Sequence, residues 1–154
     1  MKTRTILLTL AVLLCGAVAC YAADANMGTW KLNEAKSKIP AGTAKNNKVV
    51  YEMAGTKIKV TVEGIDADGK PAHNEWVGKF DGKDYPVTGD PASDSRAYTR
   101  VNPNTLSMTI KKGGKVTSTG KITVSADGKS RTVTTTGTDA KGKKVNVTGV
   151  YDKE

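Results

Sequence analysis

Arg96, Tyr98 and Arg100 alternate along one short stretch of the chain. In an extended strand such a spacing puts all three side chains on one face. If that face looks into a protein interior, two guanidinium groups and a phenol could hold an anionic ligand head by forked hydrogen bonds. If it faces water, they form a solvated patch, and the cost of an unpaired internal charge favours the patch. Trp76 and Phe80 share one face of an earlier segment, and Tyr85 follows after a tight turn. These rings could line a pocket for an apolar ligand, but a chain so poor in aromatics also needs them for packing. Tyr151 near the end offers a further ring, and Arg131 leaves the same alternatives open as Arg96 and Arg100, since it could equally cap one end of the fold over Trp30.

Catalytic constellations are nearly absent. His73 is the single histidine, and although it shares a strand face with Glu75, a face turned to solvent explains that pairing equally well. No carboxylates cluster at metal-ligand spacing. The glycines punctuate turns and do not open a phosphate-binding helix. Thr117, Thr119, Thr132, Thr134 and Thr136 suit an exposed strand face or a partly hydrated interior, and carry little chemistry. The expectation is a protein that is not an enzyme and uses no cofactor or metal.

The first segment stands apart from the rest. Lys2 and Arg4 precede an apolar run from Ile6 to Ala19, and small residues follow at Ala22, Ala23 and Ala25. This is the order of a secretory signal peptide, and the run is too short for an ordinary membrane-spanning helix. The expected division is a signal peptide over 1–25, cut after Ala23-Asp24-Ala25, and one domain over 26–154. A second reading takes Ala17-Val18-Ala19-Cys20 as a loose lipobox, with Cys20 lipidated and the domain held peripherally at a membrane. Both cysteines, Cys15 and Cys20, fall in the leader, so a domain starting at Asn26 has no disulfide. Removing Lys2, Arg4 and Asp24 leaves a net charge of +8. Most of it is lysine near turns, as in Lys111-Lys112 and Lys141 to Lys144, where it protects sheet edges. No run reaches the density of a polyanion site, and no nucleic-acid partner is expected.

The remainder reads as strands. Val, Thr, Ile and Lys alternate with period two, and turn dipeptides recur about every 8 to 12 residues. The predicted strands are Thr29–Leu32, Lys48–Met53, Lys57–Ile65, Ala72–Phe80, Lys83–Val87, Arg96–Val101, Thr105–Lys111, Lys115–Ser125, Ser130–Gly137 and Lys143–Asp152. One or two helical turns are expected over Asn33 to Lys38, stopped by Pro40. The connections are short and rich in Gly, Asn and Asp, as at Ala54-Gly55-Thr56 and Gly113-Gly114. Tight hairpins join only antiparallel neighbours, so the strands should stand in sequence order. A long meander with open edges invites aggregation, and closure removes the edges. The expected fold is therefore all-β: an antiparallel up-and-down meander of about ten strands closed into a small barrel. Val49, Tyr51 and Met53, Ile58, Val60 and Val62, Leu106, Met108 and Ile110, and Val145, Val147 and Tyr151 form its expected apolar inner faces. An outer-membrane barrel would show the inverse pattern.

At this point the residues resemble the calycin superfamily, the lipocalins and fatty-acid-binding proteins. Gly28-Thr29-Trp30-Lys31-Leu32 is similar to the Gly-x-Trp opening of those families, whose Trp closes the narrow end of the barrel. The ending Val147 to Glu154 resembles that of a fatty-acid-binding protein. Uncharacterised exported bacterial lipocalin-like proteins pair this opening with Asp-Gly-Lys-x-Tyr-Pro-Val, here Asp81 to Val87. The resemblance implies a calycin-like barrel and export. Two departures limit it. The Arg-x-Tyr that holds a fatty-acid carboxylate is matched by Gly149-Val150-Tyr151, so only Tyr151 carries over. Asn33 to Asn47, with Pro40 and Gly42, leaves no room for a helical lid.

The functional expectation is an exported, monomeric, non-catalytic carrier of a small hydrophobic or amphiphilic ligand. Trp76, Phe80, Tyr98 and Tyr151 would supply surface, and Arg96 or Arg100 the polar anchor. The alternative is a filled structural barrel that meets envelope partners through its basic surface.

Overall fold

The computed structural model describes residues 24–138 and 142–154. The cysteines and the leader through residue 23 lie outside the described residues. Ten strands follow in chain order: β1 (Gly28–Leu32), β2 (Lys45–Ala54), β3 (Lys57–Ile65), β4 (Pro71–Gly78), β5 (Tyr85–Thr88), β6 (Ser95–Asn102), β7 (Thr105–Lys112), β8 (Lys115–Val124), β9 (Ser130–Thr138) and β10 (Lys144–Lys153). Every consecutive pair is antiparallel, and β1 also pairs with β10, through Trp30↔Lys153, Lys31↔Asp152 and Leu32↔Tyr151. The sheet is a closed ten-strand barrel.

Local chemistry accounts for the connections. Gly113 and Gly114 carry φ of 56° and 76°, the pair of positive values that a two-residue hairpin turn demands. The helical expectation after β1 contracts to a single 3₁₀ turn, Glu34–Lys36, in which Asn33 Oδ1 accepts from the Lys36 N–H at 3.2 Å. Beyond it Lys38 rejoins Thr148 of β10 through bonds of 2.7 and 2.9 Å. The turn is therefore a detour within the pairing of the first strand, not a lid.

β4 ends at Gly78, short of Phe80, and β5, with four residues, is the shortest strand of the wall, holding β4 by two residue pairs and β6 by two. Pro86 has no N–H to give a neighbour. The segment between β4 and β5 meets β6 directly instead: Gly82 N–H donates to Tyr98 O at 2.9 Å, and Arg100 N–H to Phe80 O at 3.3 Å.

Alternation sorts the two faces. Trp30, Val49, Tyr51, Val60, Val62, Trp76, Tyr98, Leu106, Met108, Ile122, Val124 and Tyr151 are buried in one continuous core, while Lys57, Glu63, Lys121 and Thr134 lie outside. Met53 departs from its expected place. It is 63% exposed because it abuts the β2–β3 turn, past the covered part of the lumen. Gly78 faces inward under the rings, and a Cβ there would stand 2.5 Å from both Trp76 and Tyr85. Gly78→Ala should lower the unfolding free energy by about 1–3 kcal/mol, the usual range for overpacking. Urea midpoints read it, and a midpoint equal to the parent's would show that the two rings have room to move.

Candidate functional site

The two ends of the lumen differ. One end carries the start of β1 and the β2–β3, β4–β5, β6–β7 and β8–β9 connections, and it is closed. Trp30 is fully buried there, and its Nε1–H donates to Asn26 O at 2.8 Å. Residues 24–27 turn across this end: Met27 N–H donates to Asp24 O at 2.9 Å, and Ala25 and Met27 pack against the core. Arg131 lies behind Trp30, its guanidinium 4.9 Å from the ring centres of Trp30, Tyr51 and Tyr151. Among the described residues no acceptor meets its Nε or Nη1. Three ring faces carry this charge, each contributing about 0.5–2 kcal/mol.

Above the closed end lies an aromatic cluster centred on Trp76. Phe80 stacks on it at 6.2 Å and 12°, Tyr98 meets it edge-on at 4.8 Å, and Tyr85 does so at 5.7 Å. The Trp76 Nε1–H donates to Arg96 O at 2.9 Å. This bond keeps the indole satisfied inside the wall and turns its apolar faces to the lumen.

The solvated-patch reading of the Arg96 face is corrected by the barrel: Arg96 and Tyr98 point inward and are 7% and 2% exposed. Arg96 has company that offsets the cost of an internal charge. Its Nη2 donates to Asp90 Oδ2 at 3.1 Å, Asn74 Oδ1 at 3.3 Å and Ser93 Oγ at 3.5 Å. Ser93 in turn donates to Asp90 Oδ2 at 2.5 Å, so the β5–β6 connection folds over the guanidinium as a unit. Among the described residues no acceptor meets the buried Arg96 Nε–H in hydrogen-bond geometry, although the Tyr98 phenol acts on the same guanidinium.

Register places Arg96 in a row with Tyr85, Ile110, Ser118, Gly137 and Val145. The next row is Tyr98, Met108, Gly120, Thr135 and Val147. Ile110, Thr135, Val145 and Val147 face inward yet keep partial exposure, whereas Leu106, Ile122 and Val124 near the closed end keep almost none. The lumen is therefore wet at the end that carries the β5–β6 and β7–β8 connections. Arg96 sits where that apolar mouth meets the aromatic cluster.

The remaining residues singled out by sequence separate from this place. Arg100, on the same strand face, lies toward the closed end. Its guanidinium covers the Phe80 ring at 5.1 Å, pairs with Asp24, and donates to Pro103 O at 3.3 Å. Tyr151 belongs to the ring cage around Arg131. His73 is on the outer wall, 3.7 Å from Glu75, which also holds Lys59 at 2.7 Å. That Lys59 contact is the main reason the Glu75 carboxyl titrates below its ordinary value. Among the described residues, no three His, Cys, Asp or Glu side chains converge on a common point.

Sequence reasoning missed Asn74, Asp90 and Ser93, and it placed Tyr51 on the inner face without its part in the cage around Arg131. Asn74 was within reach, because it stands two residues before Trp76 and so shares its face. Asp90 and Ser93 carry no periodic signal, since their position depends on how the β5–β6 connection folds back.

No family model matches the chain, and no curated protein does. Among solved structures the chain is similar to a redesigned β-barrel, mFAP1, bound to DFHBI. The identity is 18%, over 86% of this chain and 98% of that one, with a TM-score of 0.44.

Burial pushes the Tyr51 phenol up to about 12 from its ordinary 10.0, against the opposing pull of Arg131. Burial also raises Tyr151. The folded barrel thus keeps the Tyr51 proton at a pH where the unfolded chain has released it. Its contribution is complete below pH 10 and is lost as pH rises from 10 toward 12. In urea melts the parent should lose up to about 1.4 kcal/mol per pH unit across that window relative to Tyr51→Phe. Parallel pH profiles for the two proteins would refute this.

Proposed function

We propose that this chain is an exported, non-catalytic, monomeric carrier of a small amphiphilic molecule with an anionic head. The observation that carries the reading is Arg96: a buried guanidinium whose Nε–H meets no acceptor among the described residues, at the foot of a mouth lined by Ile110, Val145 and Val147 that keep partial exposure. A buried donor without an acceptor is costly, and a ligand oxygen would remove that cost. Asp90 already supplies one carboxylate to Nη2, so an incoming anion would meet the guanidinium on its Nε side. Apolar surface beyond the head would lie against Ile110, Val145 and Val147, with the Trp76, Phe80 and Tyr98 rings as the floor beneath it.

The rest of the reading is carried over from the sequence. No cofactor or metal takes part. Neither a nucleic acid nor a membrane is needed as partner, although lipidation of Cys20 would add a peripheral tether. Kinship to exported lipocalin-like proteins rests on Gly28-Thr29-Trp30 and Asp81 to Val87. A second reading, the filled structural barrel, is supported by the close packing around Gly78, where no spare volume remains beneath the rings.

Titration with the anionic dye anilinonaphthalene sulfonate and the neutral dye Nile red separates the two. The carrier reading expects saturable binding of the anionic dye that weakens at least tenfold in Arg96→Gln. The pair Asp90→Asn with Arg96→Gln, which leaves no charge unpartnered, should weaken it as much. Nile red should change little in either variant. Absence of saturable uptake of both dyes would move the conclusion to the filled barrel.

A further inference from the structure

The closed end of the barrel is completed by residues that the small-x-small reading of the leader assigns to the removed segment. Asp24 forms an ion pair with Arg100 across a large sequence separation, and the two side chains are 21% and 33% exposed. The same carboxylate organises the turn beneath Trp30. Its Oδ1 accepts from the Asn26 backbone N–H at 2.9 Å and from Asn26 Nδ2 at 3.1 Å. Asp24 O accepts from Met27 N–H at 2.9 Å, and Ala25 packs on the core. These contacts hold Asn26 fully buried, with its carbonyl aimed at the Trp30 indole.

A cut between Ala25 and Asn26 would undo this arrangement in three ways. It would remove the carboxylate that neutralises Arg100. It would turn the buried Asn26 amide nitrogen into an ammonium group. It would also set that new positive charge close to Arg100 with no counterion, and like charges side by side repel.

We propose that residues 24–27 belong to the working barrel, as the plug of its closed end, and that N-terminal processing removes nothing beyond residue 23. The proposal rests on the export reading for the existence of processing, but not for the role of Asp24. Cleavage after Ala22 or Ala23, or ahead of Cys20 with lipidation, would each leave the plug intact. The small-x-small triplet at Ala23-Asp24-Ala25 is then part of the fold, not a protease site.

The test uses the full chain produced in an exporting bacterial host. Intact mass and N-terminal sequencing locate the first residue, and thermal melts compare the parent with Asp24→Asn, Arg100→Met and the double variant. The proposal expects a first residue at or before Asp24. It also expects Asp24→Asn to melt several degrees lower than the parent, yet to add little in the Arg100→Met background. A substitution at position 24 can change the melting of the product only if that residue remains in it. A first residue at Ala25 or later overturns the proposal, as does an Asp24→Asn product that melts with the parent. A leader retained whole would count against export, and the melts alone would then decide the role of Asp24.

Discussion

An antiparallel sheet of ten strands left open would present two rows of unpaired N–H and C=O groups, at its first and last strands. Here β1 takes a neighbour on each side, β2 and β10, and no edge is left at that seam. Closure has a consequence beyond satisfying backbone bonds. It encloses a volume, and every inward residue must then fill that volume, be paired within it, or remain wet. The fates of Trp30, Arg131, Arg96 and Trp76 all follow from this enclosure.

Internal positive charge is handled in three ways, and the differences map onto the two ends of the barrel. Arg131 has ring faces around it and, among the described residues, no acceptor on Nε or Nη1. This suits a place where water is excluded and nothing needs to enter. Arg100 has both Phe80 and a carboxylate from the segment across the closed end. Arg96 has a carboxylate, an amide and a hydroxyl on one nitrogen and, among the described residues, no acceptor on Nε. Arg96 lies at the foot of inward side chains that keep partial exposure, whereas Arg100 is itself one-third exposed at the opposite end. Packing has thus made one end a plug and left the other with an open donor at its base.

Much of the architecture could be read from the chain. The period-two alternation, the Gly-rich connections and the absence of room for crossovers together demand a meander in chain order. Its strands stand close to where Val, Thr and Ile runs place them. The misses have physical reasons. Met53 keeps the alternation but sits at a turn, where parity no longer means cover. The expected turns of helix after β1 shrink because Lys38 finds pairing partners on β10, and tertiary hydrogen bonding outweighs local propensity there.

By itself the sequence determined a short-looped antiparallel barrel with a tryptophan near its start, because hairpin chemistry and alternation are local properties. It also brought Arg96, Tyr98 and Arg100 onto one strand face. It could not say which side of the wall that face occupies, since a shift of one residue exchanges inside for outside. Nor could it separate Arg96 from Arg100, which differ only in depth along the lumen. Asp90 reaches Arg96 from the adjoining β5–β6 connection, six residues back, through the way that loop folds over. Asp24 stands 76 residues from Arg100, and only the closed tertiary structure brings those two together, because ion pairing inside a barrel depends on distance through space and not along the backbone.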